Sequence, residues 1–499
     1  MNAELNSDWP LRTARFSLRE NGTPVADEFD DIYFSTENGL AETRHVFIEG
    51  NDLPTRFAKL DPSSGPFTIL ETGFGTGLNF LATWQTFLAL APPSARLHFV
   101  SIEAHPFYAK DIVRLHKNSE LAELARVLAE AWPDLVPGLH RRHFAGGRIT
   151  LTLGFGDVRR LLPQMDLKAD ALFLDGFSPA RNPAMWQPEV MCLLASLMNV
   201  GGSFATFTSA RMVKDALAEG GFAFEKAPGY GRKRDMLKGI LTRTPQPRRV
   251  EPALPMSITG DVGARQAIVI GAGLAGCAIT SALAARGWRI TLFERGSEPA
   301  QAASGNPAGI FLPVLSRDWN ALSNLTGSAT GYLRSEIARM NASGGDIDWS
   351  VCGVLRLARG DKHLAQQLRI LETLKPDSSF AQWLTQDQAS DLAGVSVNAP
   401  GWWFPGCGWV NPPSLCKAWL ASAAEATTTH FNKPVFKIEK YGDLWRAFNE
   451  QGVVLAEAPV VIVANANEAA KFAATRHLPL IPFRGQISQL PISHLHTSA

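Results

Sequence analysis

The 499-residue chain has few of the features that mark secreted, membrane or metal-binding proteins. Its five cysteines form no C-x-x-C pair, so we expect neither a disulfide framework nor a zinc site. It has no run of 18 apolar residues, and residues 1–10 do not follow the charged-then-apolar order of a signal peptide. Together these absences predict a cytoplasmic protein without a bound metal.

An excess of charge of one sign is also lacking. The formal net charge is +1, and residues 1–250 contain 28 basic and 28 acidic side chains. Binding of nucleic acid would therefore depend on local basic patches and not on the field of the whole molecule. Taken singly, each short basic run is more typical of an ordinary solvated surface. The candidate patches are Arg141-Arg142-His143, Arg159-Arg160, Arg232-Lys233-Arg234 and Arg248-Arg249.

The length predicts two or three domains, because one core rarely extends over so many residues. Residues 243–263 contain four prolines and follow neither a helical nor a strand period, which is typical of a stiff linker. We therefore predict one domain over residues 1–242 and a second over residues 264–499. Strands and helices alternate in both, so the expected fold class is α/β with Rossmann-like sheets.

The first domain contains a glycine loop directly after an apolar strand. Its pattern is E-x-G-x-G-x-G, and an apolar helix over residues 78–90 is predicted to follow it. Glycines let the backbone approach a bound nucleotide closely. The candidate cofactor residues of the loop are Glu71, Gly73, Gly75 and Gly77.

Acidic residues follow the later strands of the same domain. Glu103 follows a strand over residues 97–102, Asp157 follows one over 148–153, and Asp175 follows one over 171–174. Parallel strands end at one edge of a sheet, where ligands of open α/β folds bind and where a carboxylate can hold a ribose. A helical insertion over residues 118–131 is expected before Asp157. A solvated strand-end carboxylate or a helix N-cap remains the alternative for Glu103 and Asp157.

Two cofactors are compatible with this loop. A nicotinamide dinucleotide would need the G-x-G-x-x-G spacing, and a carboxylate before the first glycine would repel its pyrophosphate. The cationic, phosphate-free S-adenosylmethionine suits the observed spacing and the acid better, so the first domain is predicted to be a methyltransferase.

The stretch from Asp175 to Trp186 is the most distinctive of the domain. Asp175 emerges at the cofactor edge and is the candidate group that orients or deprotonates an amine before methyl transfer. Phe177 and Trp186 offer flat surfaces on which a base could stack, and Asn182 and Pro183 between them are assigned to substrate binding as well. The alternative is a turn in which the aromatic rings cap the core and Asp175 caps a helix.

The second domain begins with a strand and a G-x-G-x-x-G loop, followed by a small-residue helix over 277–286 and a strand that ends at Glu294. This unit sets a pyrophosphate on a helix N-terminus and a ribose on the acid, which leaves FAD and NAD as candidates. The small-residue loop around Ser304 favours FAD, because it lets another backbone segment approach a bulky cofactor. The glycines are Gly271, Gly273 and Gly276.

Over nearly its whole length, the chain resembles a family of bifunctional bacterial enzymes that complete 5-methylaminomethyl-2-thiouridine in tRNA. The methyltransferase motifs of that family are similar to residues 71–77, 175–186 and 229–234, and its N-terminal motifs are similar to residues 30–34 and 39–43. Its FAD-dependent half, of the D-amino-acid and glycine oxidase class, is similar to residues 271–276, 303–306 and 482–486.

The resemblance implies two successive reactions at the wobble uridine of the anticodon loop. The FAD-dependent half removes the carboxymethyl group of 5-carboxymethylaminomethyl-2-thiouridine, and the other half methylates the resulting 5-aminomethyl-2-thiouridine with S-adenosylmethionine. Arg232, Lys233 and Arg234 would then contact tRNA phosphates. Two other hypotheses stay open, namely a fused oxidase of free amino acids and a flavin-type domain that serves only as a scaffold.

The resemblance also implies a further glycine-rich loop beneath the flavin ring, later in the family's sequences than Arg484-Gly485-Gln486. This chain ends at Ala499, so we expect the FAD-dependent domain to be C-terminally incomplete and to hold flavin weakly.

Overall fold

A computed structural model describes residues 11–34, 39–231, 233–244, 265–483 and 485. All but two residues of the predicted linker lie outside these ranges, as do Arg232, Arg248-Arg249, Arg484 and Gln486.

Residues 11–244 form strands and helices in alternation. The strands are β1 (Phe16–Leu18), β2 (Pro24–Ala26), β3 (Asp31–Ile32), β4 (Phe67–Thr72), β5 (Leu97–Glu103), β6 (Gly138–Phe144), β7 (Ile149–Phe155), β8 (Ala169–Leu174), β9 (Met198–Thr206), β10 (Phe222–Pro228) and β11 (Asp235–Leu241). The α-helices are α1 (Gly39–Thr43), α2 (Leu53–Ala58), α3 (Leu78–Leu90), α4 (Ala109–His116), α5 (Ala122–Glu130), α6 (Val158–Leu161), α7 (Pro188–Ser196) and α8 (Arg211–Glu219). A π-helix covers Arg44–Glu49, and 3-10 turns cover Pro62–Ser64, Ala145–Gly147, Leu162–Gln164 and Pro183–Trp186.

The later residues continue in the same way. The strands are β12 (Gln266–Ile270), β13 (Arg289–Phe293), β14 (Gly309–Phe311), β15 (Trp349–Ser350), β16 (Val354–Leu357), β17 (Gln382–Leu384), β18 (Gly401–Phe404), β19 (Gly408–Val410), β20 (Thr427–His430), β21 (Lys437–Tyr441), β22 (Leu444–Phe448), β23 (Val454–Ala458) and β24 (Val460–Val463). The helices are α9 (Leu274–Ala284), α10 (Ala321–Ala342), α11 (Gly360–Leu374), α12 (Gln386–Ala393) and α13 (Pro412–Ser422), with 3-10 turns at Ala303–Gly305, Ala424–Ala426 and Ala466–Lys471.

The largest sheet has eight strands in the order β10-β11-β9-β8-β4-β5-β7-β6. Strands β4, β5, β7, β8 and β9 pair in parallel, whereas β6, β10 and β11 pair antiparallel with their neighbours. The chain proceeds from β4 to one side through β5 and returns to the other side of β4 through β8. This reversal makes the carboxyl end of β4 the topological switch point, where open α/β sheets bind their ligands.

Alternating side chains of the central strands enter two apolar cores, one on each face of the sheet. Ile69 and Phe173 belong to one core and Leu70 and Leu172 to the other. Helix α3 covers the first face and α7 the second, each with a buried apolar stripe. Because both faces are covered, every residue of β4 is buried, as is usual for a parallel central strand.

The described chain falls into two compact units, each assembled from segments that are separated in the sequence. One unit joins Met1–Ser257 with Leu312–Glu336 and Gly353–Gly406, and the other contains the remaining segments. Within the first unit, Arg334 pairs with Asp134 at 2.9 Å, and the Trp319 indole N–H donates to the carbonyl of Pro137 at 3.3 Å. Residues 312–336 and 353–406 are therefore part of the same packed body as the eight-stranded sheet.

The second unit is built around a four-stranded parallel sheet in the order β20-β13-β12-β24. Strand β12 leads through α9 into β13, which is the predicted strand–helix–strand unit. Three-stranded antiparallel sheets β14-β19-β15 and β21-β22-β23 belong to this unit, and β16-β18-β17 belongs to the first.

The α/β class and the parallel sheets are confirmed, and helix α3 has the predicted bounds. The predicted helix over 118–131 is shorter, at Ala122–Glu130, and α9 begins three residues before the predicted start. No described helix is long and apolar enough to cross a membrane.

Candidate functional site

A cavity of about 510 Å³ opens at the carboxyl ends of β4, β5, β7 and β8, at the switch point of the eight-stranded sheet. The glycine loop after β4 forms its base, and the segment after β8 forms one wall. Predicted residues that line the cavity are Gly73, Gly75, Glu103, Asp157, Asp175, Phe177, Asn182 and Lys233.

The glycine loop is folded in a way that only glycine tolerates well. Gly73, Gly75 and Gly77 all have positive φ angles, of 79°, 54° and 81°. A Cβ atom at Gly73 would lie 3.1 Å from the Cα of Gly176, so the loop after β4 and the loop after β8 approach each other closely here. Gly77 then caps the N-terminus of α3 in the left-handed conformation.

Glu103 lies at the end of β5 and lines the cavity, as predicted for a ribose-binding carboxylate. Its Oε2 accepts a hydrogen bond from the Gly75 amide and its Oε1 from the His105 amide, both at 2.8 Å. These two bonds fix the carboxylate, and each oxygen keeps a lone pair for another donor.

Asp175 follows β8 and is partly exposed to the cavity. Its Oδ1 accepts from the amide of Gly176 at 2.8 Å and its Oδ2 from the side-chain amide of Asn79 at 2.7 Å. Burial raises the pKa of the Asp175 carboxyl to about 6, although these two hydrogen bonds act in the opposite direction. The group can therefore exchange a proton near neutral pH, which suits a general base.

Glu71 is buried behind the glycine loop. Its side chain is 0% exposed, and it does not line the cavity. Its Oε1 accepts from Asn79 Nδ2 at 3.0 Å, and its Oε2 is 2.7 Å from Ser101 Oγ. Burial raises the pKa of the Glu71 carboxyl well above its usual range. Glu71 is therefore held behind the loop by Asn79 and Ser101, and its contact with a cofactor stays a prediction.

The sequence analysis assigned no role to the segment before α1, and this segment forms another wall of the cavity. Phe29 stacks on Phe177 with ring centroids 4.5 Å apart, and Tyr33 meets the same ring edge-on at 5.2 Å. The Ser178 amide donates to Asp31 Oδ2 at 2.9 Å. The signal available in the sequence was the motif over residues 30–34, which resembled the family without indicating a contact.

Among the predicted substrate residues, Phe177 and Asn182 line the cavity, and Pro183 begins a 3-10 turn. Trp186 is 0% exposed, belongs to the core on the α7 face, and donates its indole N–H to the carbonyl of Phe177 at 2.9 Å. Stacking of a base on Trp186 is therefore wrong, since its ring is covered on both sides and supports the loop from below.

Two of the basic patches also differ from the expectation. Lys233 Nζ pairs with Glu42 Oε1 at 2.6 Å and lies 4.2 Å from the centre of the Phe207 ring, at the cavity edge. Arg234 is exposed, and Arg232 lies outside the described residues. Arg142 is only 2% exposed, because β6 is a strand of the sheet and its guanidinium donates to the carbonyl of Ala131. Arg141-Arg142-His143 is therefore not a surface patch.

The position of Asp157 is compatible with both of its predicted roles, a cofactor contact and a helix N-cap. It lines the cavity after β7, and its side chain also accepts from the Arg159 amide as the N-cap of α6. Arg159 pairs with it at 2.8 Å and holds the pKa of the Asp157 carboxyl below its usual range. Arg159 therefore forms an ion pair with Asp157.

In the second unit, the glycine loop after β12 packs as its pattern requires. Gly271 has a φ of 102°, and a Cβ atom there would lie 2.7 Å from the carbonyl oxygen of Ala464. A Cβ atom at Gly276 would lie 1.8 Å from the carbonyl oxygen of Gly271, so α9 can start against the strand end only with glycine. Gly273 is the N-cap of α9, and the following amide, of Leu274, donates to Ser304 Oγ at 3.1 Å.

Glu294 directly follows β13 and is held in the same way as Glu103, the last residue of β5. Its Oε2 accepts from the Ala272 amide at 2.7 Å and its Oε1 from the Gly296 amide at 2.8 Å. The carboxylate is held beside the glycine loop, where a dinucleotide ribose binds in such folds. The glycine loop, the helix N-terminus and this acid fit the adenosine diphosphate part of FAD.

Comparisons with known proteins match both halves of the chain. A family described as S-adenosyl-L-methionine-dependent methyltransferase matches residues 119–242, and one described as FAD dependent oxidoreductase matches residues 266–499. A relative from Paraburkholderia phytofirmans is 42% identical over 97% of this chain and 73% of its own, and one from Azoarcus sp. is 43% identical over 97% and 74%. Both are named tRNA 5-methylaminomethyl-2-thiouridine biosynthesis bifunctional protein MnmC. The chain belongs to the MnmC family. It is an enzyme that combines a methyltransferase using S-adenosylmethionine with an oxidoreductase using FAD.

Solved structures are more distant than these MnmC relatives. MnmC2 from Aquifex aeolicus is 21% identical with a TM-score of 0.37 and covers 47% of this chain and 71% of its own. Glycine oxidase from Geobacillus kaustophilus is 24% identical with a TM-score of 0.38, covering 42% and 58%. Likeness of this extent carries no functional argument.

Proposed function

We propose that this chain completes the side chain of a wobble uridine in the anticodon loop of tRNA, in the cytoplasm, by two successive reactions. The FAD-dependent half removes the carboxymethyl group from 5-carboxymethylaminomethyl-2-thiouridine, and the methyltransferase half converts the resulting 5-aminomethyl group to 5-methylaminomethyl. The observation that carries the methyl-transfer step is Asp175, a carboxylate with a raised pKa that faces a cavity at the switch point of the sheet. Membership of the MnmC family supports the substrate.

S-adenosylmethionine supplies an electrophilic methyl group when it is bound. Gly73 and Gly75 give it close access to the backbone, and Glu103 is placed to hold its ribose hydroxyls. The cavity wall that carries Phe177, supported by Phe29 and Tyr33, offers an aromatic face to an unstacked base.

Asp175 prepares the substrate amine for this transfer. An aminomethyl group is largely protonated at neutral pH, and its nitrogen has no lone pair until a proton leaves. The carboxylate accepts that proton, after which the nitrogen can form the new N–C bond as the S–C bond breaks. The product is a secondary amine, which leaves with the tRNA.

In the other half, FAD would supply a two-electron acceptor for the secondary amine of the substrate when it is bound, and water would then hydrolyse the resulting imine to the aminomethyl group and an aldehyde acid that carries the carboxymethyl carbons. Gly271, Gly273 and Gly276 would admit its pyrophosphate to the N-terminus of α9, and Glu294 would hold its ribose. Ser304, whose hydroxyl already lies at this N-terminus, is placed to contact the phosphates.

Replacement of Asp175 tests the methyl-transfer step. The change Asp175→Asn keeps the shape of the side chain and removes the base, so methylation of aminomethyl tRNA should fall by about a hundredfold or more. The product is measured by nucleoside mass spectrometry after incubation with S-adenosylmethionine. Binding of S-adenosylmethionine, measured by calorimetry, should stay within a few-fold of the unaltered enzyme.

The exposed Asp166 in the same half gives a matched control, because Asp166→Asn makes the same chemical change away from the cavity. Near-normal turnover of the Asp175→Asn variant would remove this residue from the mechanism. Oxidation of free glycine or sarcosine, with no change in tRNA nucleosides, would instead support an amino-acid oxidase.

A further inference from the structure

We propose that Asn79 is a positioning residue for methyl transfer, which holds the Asp175 carboxylate in its reactive orientation through an amide that Thr43 and Glu71 fix in place. This inference rests on the proposed function of the cavity. Asn79 itself lines the cavity only marginally, with 7% of its side chain exposed, and it acts through Asp175.

The geometry uses every polar atom of the Asn79 side chain. Its Nδ2 donates one hydrogen to Asp175 Oδ2 at 2.7 Å and the other to Glu71 Oε1 at 3.0 Å. Its Oδ1 accepts from the Thr43 hydroxyl at 2.9 Å. Asn79 is the second residue of α3, so the helix that begins at the glycine loop also carries the group that contacts the candidate base.

The orientation of this amide is determined by its neighbours. If the amide were flipped, Oδ1 would face oxygens of Glu71 and Asp175 with no proton donor on Asn79 between them, and Nδ2 would lose two acceptors. The three-way arrangement is buried, where unpaired polar groups are costly. Asn79 therefore has one stable orientation, with its N–H groups towards the two acids.

Glu71 is the buried anchor of the arrangement. Burial and its acidic neighbours raise the pKa of its carboxyl well above the usual range, although the hydrogen bonds from Ser101 and Asn79 act in the opposite direction. Its Oε1 accepts from Asn79, and its Oε2 accepts from the Ser101 hydroxyl. A glutamine would keep an oxygen towards Asn79, and its N–H group would meet the Ser101 hydroxyl oxygen, which can also accept.

Each oxygen of the Asp175 carboxylate accepts a hydrogen bond from a different donor. The Gly176 amide binds Oδ1 and Asn79 binds Oδ2, so the plane of the carboxylate is fixed and the remaining lone pairs are available to a ligand in the cavity. Rotation of the side chain would break at least one of these two hydrogen bonds, which a buried carboxylate replaces only at a cost.

Other charged groups face Asp175 from the neighbouring elements. Lys233, before β11, favours the ionised carboxylate, whereas Glu42 of α1 disfavours it. Glu71 of β4, whose carboxyl has a pKa raised by burial, shares Asn79 with Asp175, and Glu103 of β5 lies on the same cavity. Asn79 adds a donor that stabilises the ionised form, and its removal shifts the acid–base equilibrium of Asp175 towards the protonated form.

The test is the pH profile of methyl transfer under single-turnover conditions, with the full chain and aminomethyl tRNA. The change Asn79→Ala should move the acid limb of the rate upward by roughly half to one pH unit and lower the rate at pH 7 by about tenfold. The KM for tRNA should stay within a few-fold, because Asn79 is buried and acts through Asp175. Thr43→Val, which removes only the bond that orients Asn79, should produce a smaller shift in the same direction.

Two further variants separate this role from a structural one. Thr86→Val removes a partly buried hydrogen bond from the Thr86 hydroxyl to the Ala82 carbonyl, elsewhere on α3. This variant should leave the acid limb of the pH profile in place, whatever its effect on thermal stability. Glu71→Gln should also leave the limb in place, because it keeps an oxygen towards Asn79. A downward shift in Glu71→Gln would show that Glu71 is ionised and would overturn its place in the proposal.

An unchanged acid limb in both Asn79→Ala and Thr43→Val would overturn the positioning role, even if the variants were less stable. This result is distinct from a failure of the proposed function, in which Asp175→Asn itself would methylate tRNA at a normal rate.

Discussion

At the scale of single residues, Asp175 illustrates how the reaction and the stability of the fold make opposite demands. An aspartate in an unfolded chain has a pKa near 4, whereas burial raises that of Asp175 to about 6. The folded protein therefore holds a proton at this site that the unfolded chain has already lost between these pH values. Stability from this group is present below about pH 4 and is lost as the pH rises through about 6.

The variant Asp175→Asn should consequently be more stable than the unaltered enzyme above about pH 6, while it is nearly inactive. We expect a gain of about 1–2 kcal/mol in the free energy of unfolding at pH 8, discounted for the partial exposure of the carboxyl, and almost none at pH 4. Urea unfolding at the two pH values measures the difference. An equal effect at both would mean that the asparagine acts by packing and not by removal of a charge.

At the scale of secondary-structure elements, both halves place a glutamate by the same local device. Glu103 and Glu294 each lie at the end of the second strand of a strand–helix–strand unit, and each binds one amide of the glycine loop and the amide two residues further on. All partners of this device lie within about one such unit. Its position could therefore be predicted from the sequence, as could the glycine loops and helix α3.

Other parts of the site could not be predicted, because their partners are far away in the chain. In the sequence, Asn79 is indistinguishable from an ordinary helical residue. Only the fold brings it into contact with Asp175, which lies 96 positions further along the chain. Asp31 meets the loop after β8 across 147 positions. Strand β6 was not predicted, because its sequence is charged and it pairs antiparallel with β7 at the sheet edge. Arg142, which lies on this strand, was therefore assigned to a surface patch.

Helix α9 shows how two glycines of one loop differ in their function. The change Gly276→Ala should lower the free energy of unfolding by about 1–3 kcal/mol, because the new Cβ would overlap the carbonyl oxygen of Gly271. At Gly273 a Cβ atom would meet only the side-chain hydroxyl of Ser304, at 3.0 Å. Gly273→Ala should therefore preserve stability and weaken FAD binding by roughly tenfold or more, since it obstructs the pyrophosphate.

Chemical unfolding and FAD titration of both variants check this contrast. Equal stability of the two would contradict the packing argument for Gly276. Normal FAD affinity of Gly273→Ala would contradict the assignment of the loop to the pyrophosphate.

At the scale of the whole molecule, the first compact unit is assembled from segments that are distant in the chain. Arg334 of α10 pairs with Asp134, at the edge of the eight-stranded sheet, and also donates to the carbonyl of Gly406 at 2.7 Å. The composition of a linker indicates where a chain is extended, and it does not indicate which surfaces the later residues cover.

Removal of this pair should destabilise the first unit. We expect Arg334→Ala to lower its free energy of unfolding by about 1–2 kcal/mol, because the pair is only partly exposed and Asp134 loses its hydrogen-bonded partner. Thermal unfolding measures the loss. Arg369→Ala, at an exposed position of α11, removes the same charge and should change stability by less than about 0.5 kcal/mol.

Because this unit is assembled from distant segments, its parts leave the ribosome at different times. The strands of the large sheet are complete once residue 241 has been made, whereas the last segment that packs with them ends at Gly406. At about 5–20 residues per second, the nascent sheet waits on the order of ten to thirty seconds for that covering segment. The surface that receives Trp319 is open for a shorter time, about 4–16 seconds at the same rate, during which chaperones and neighbouring chains have access to it.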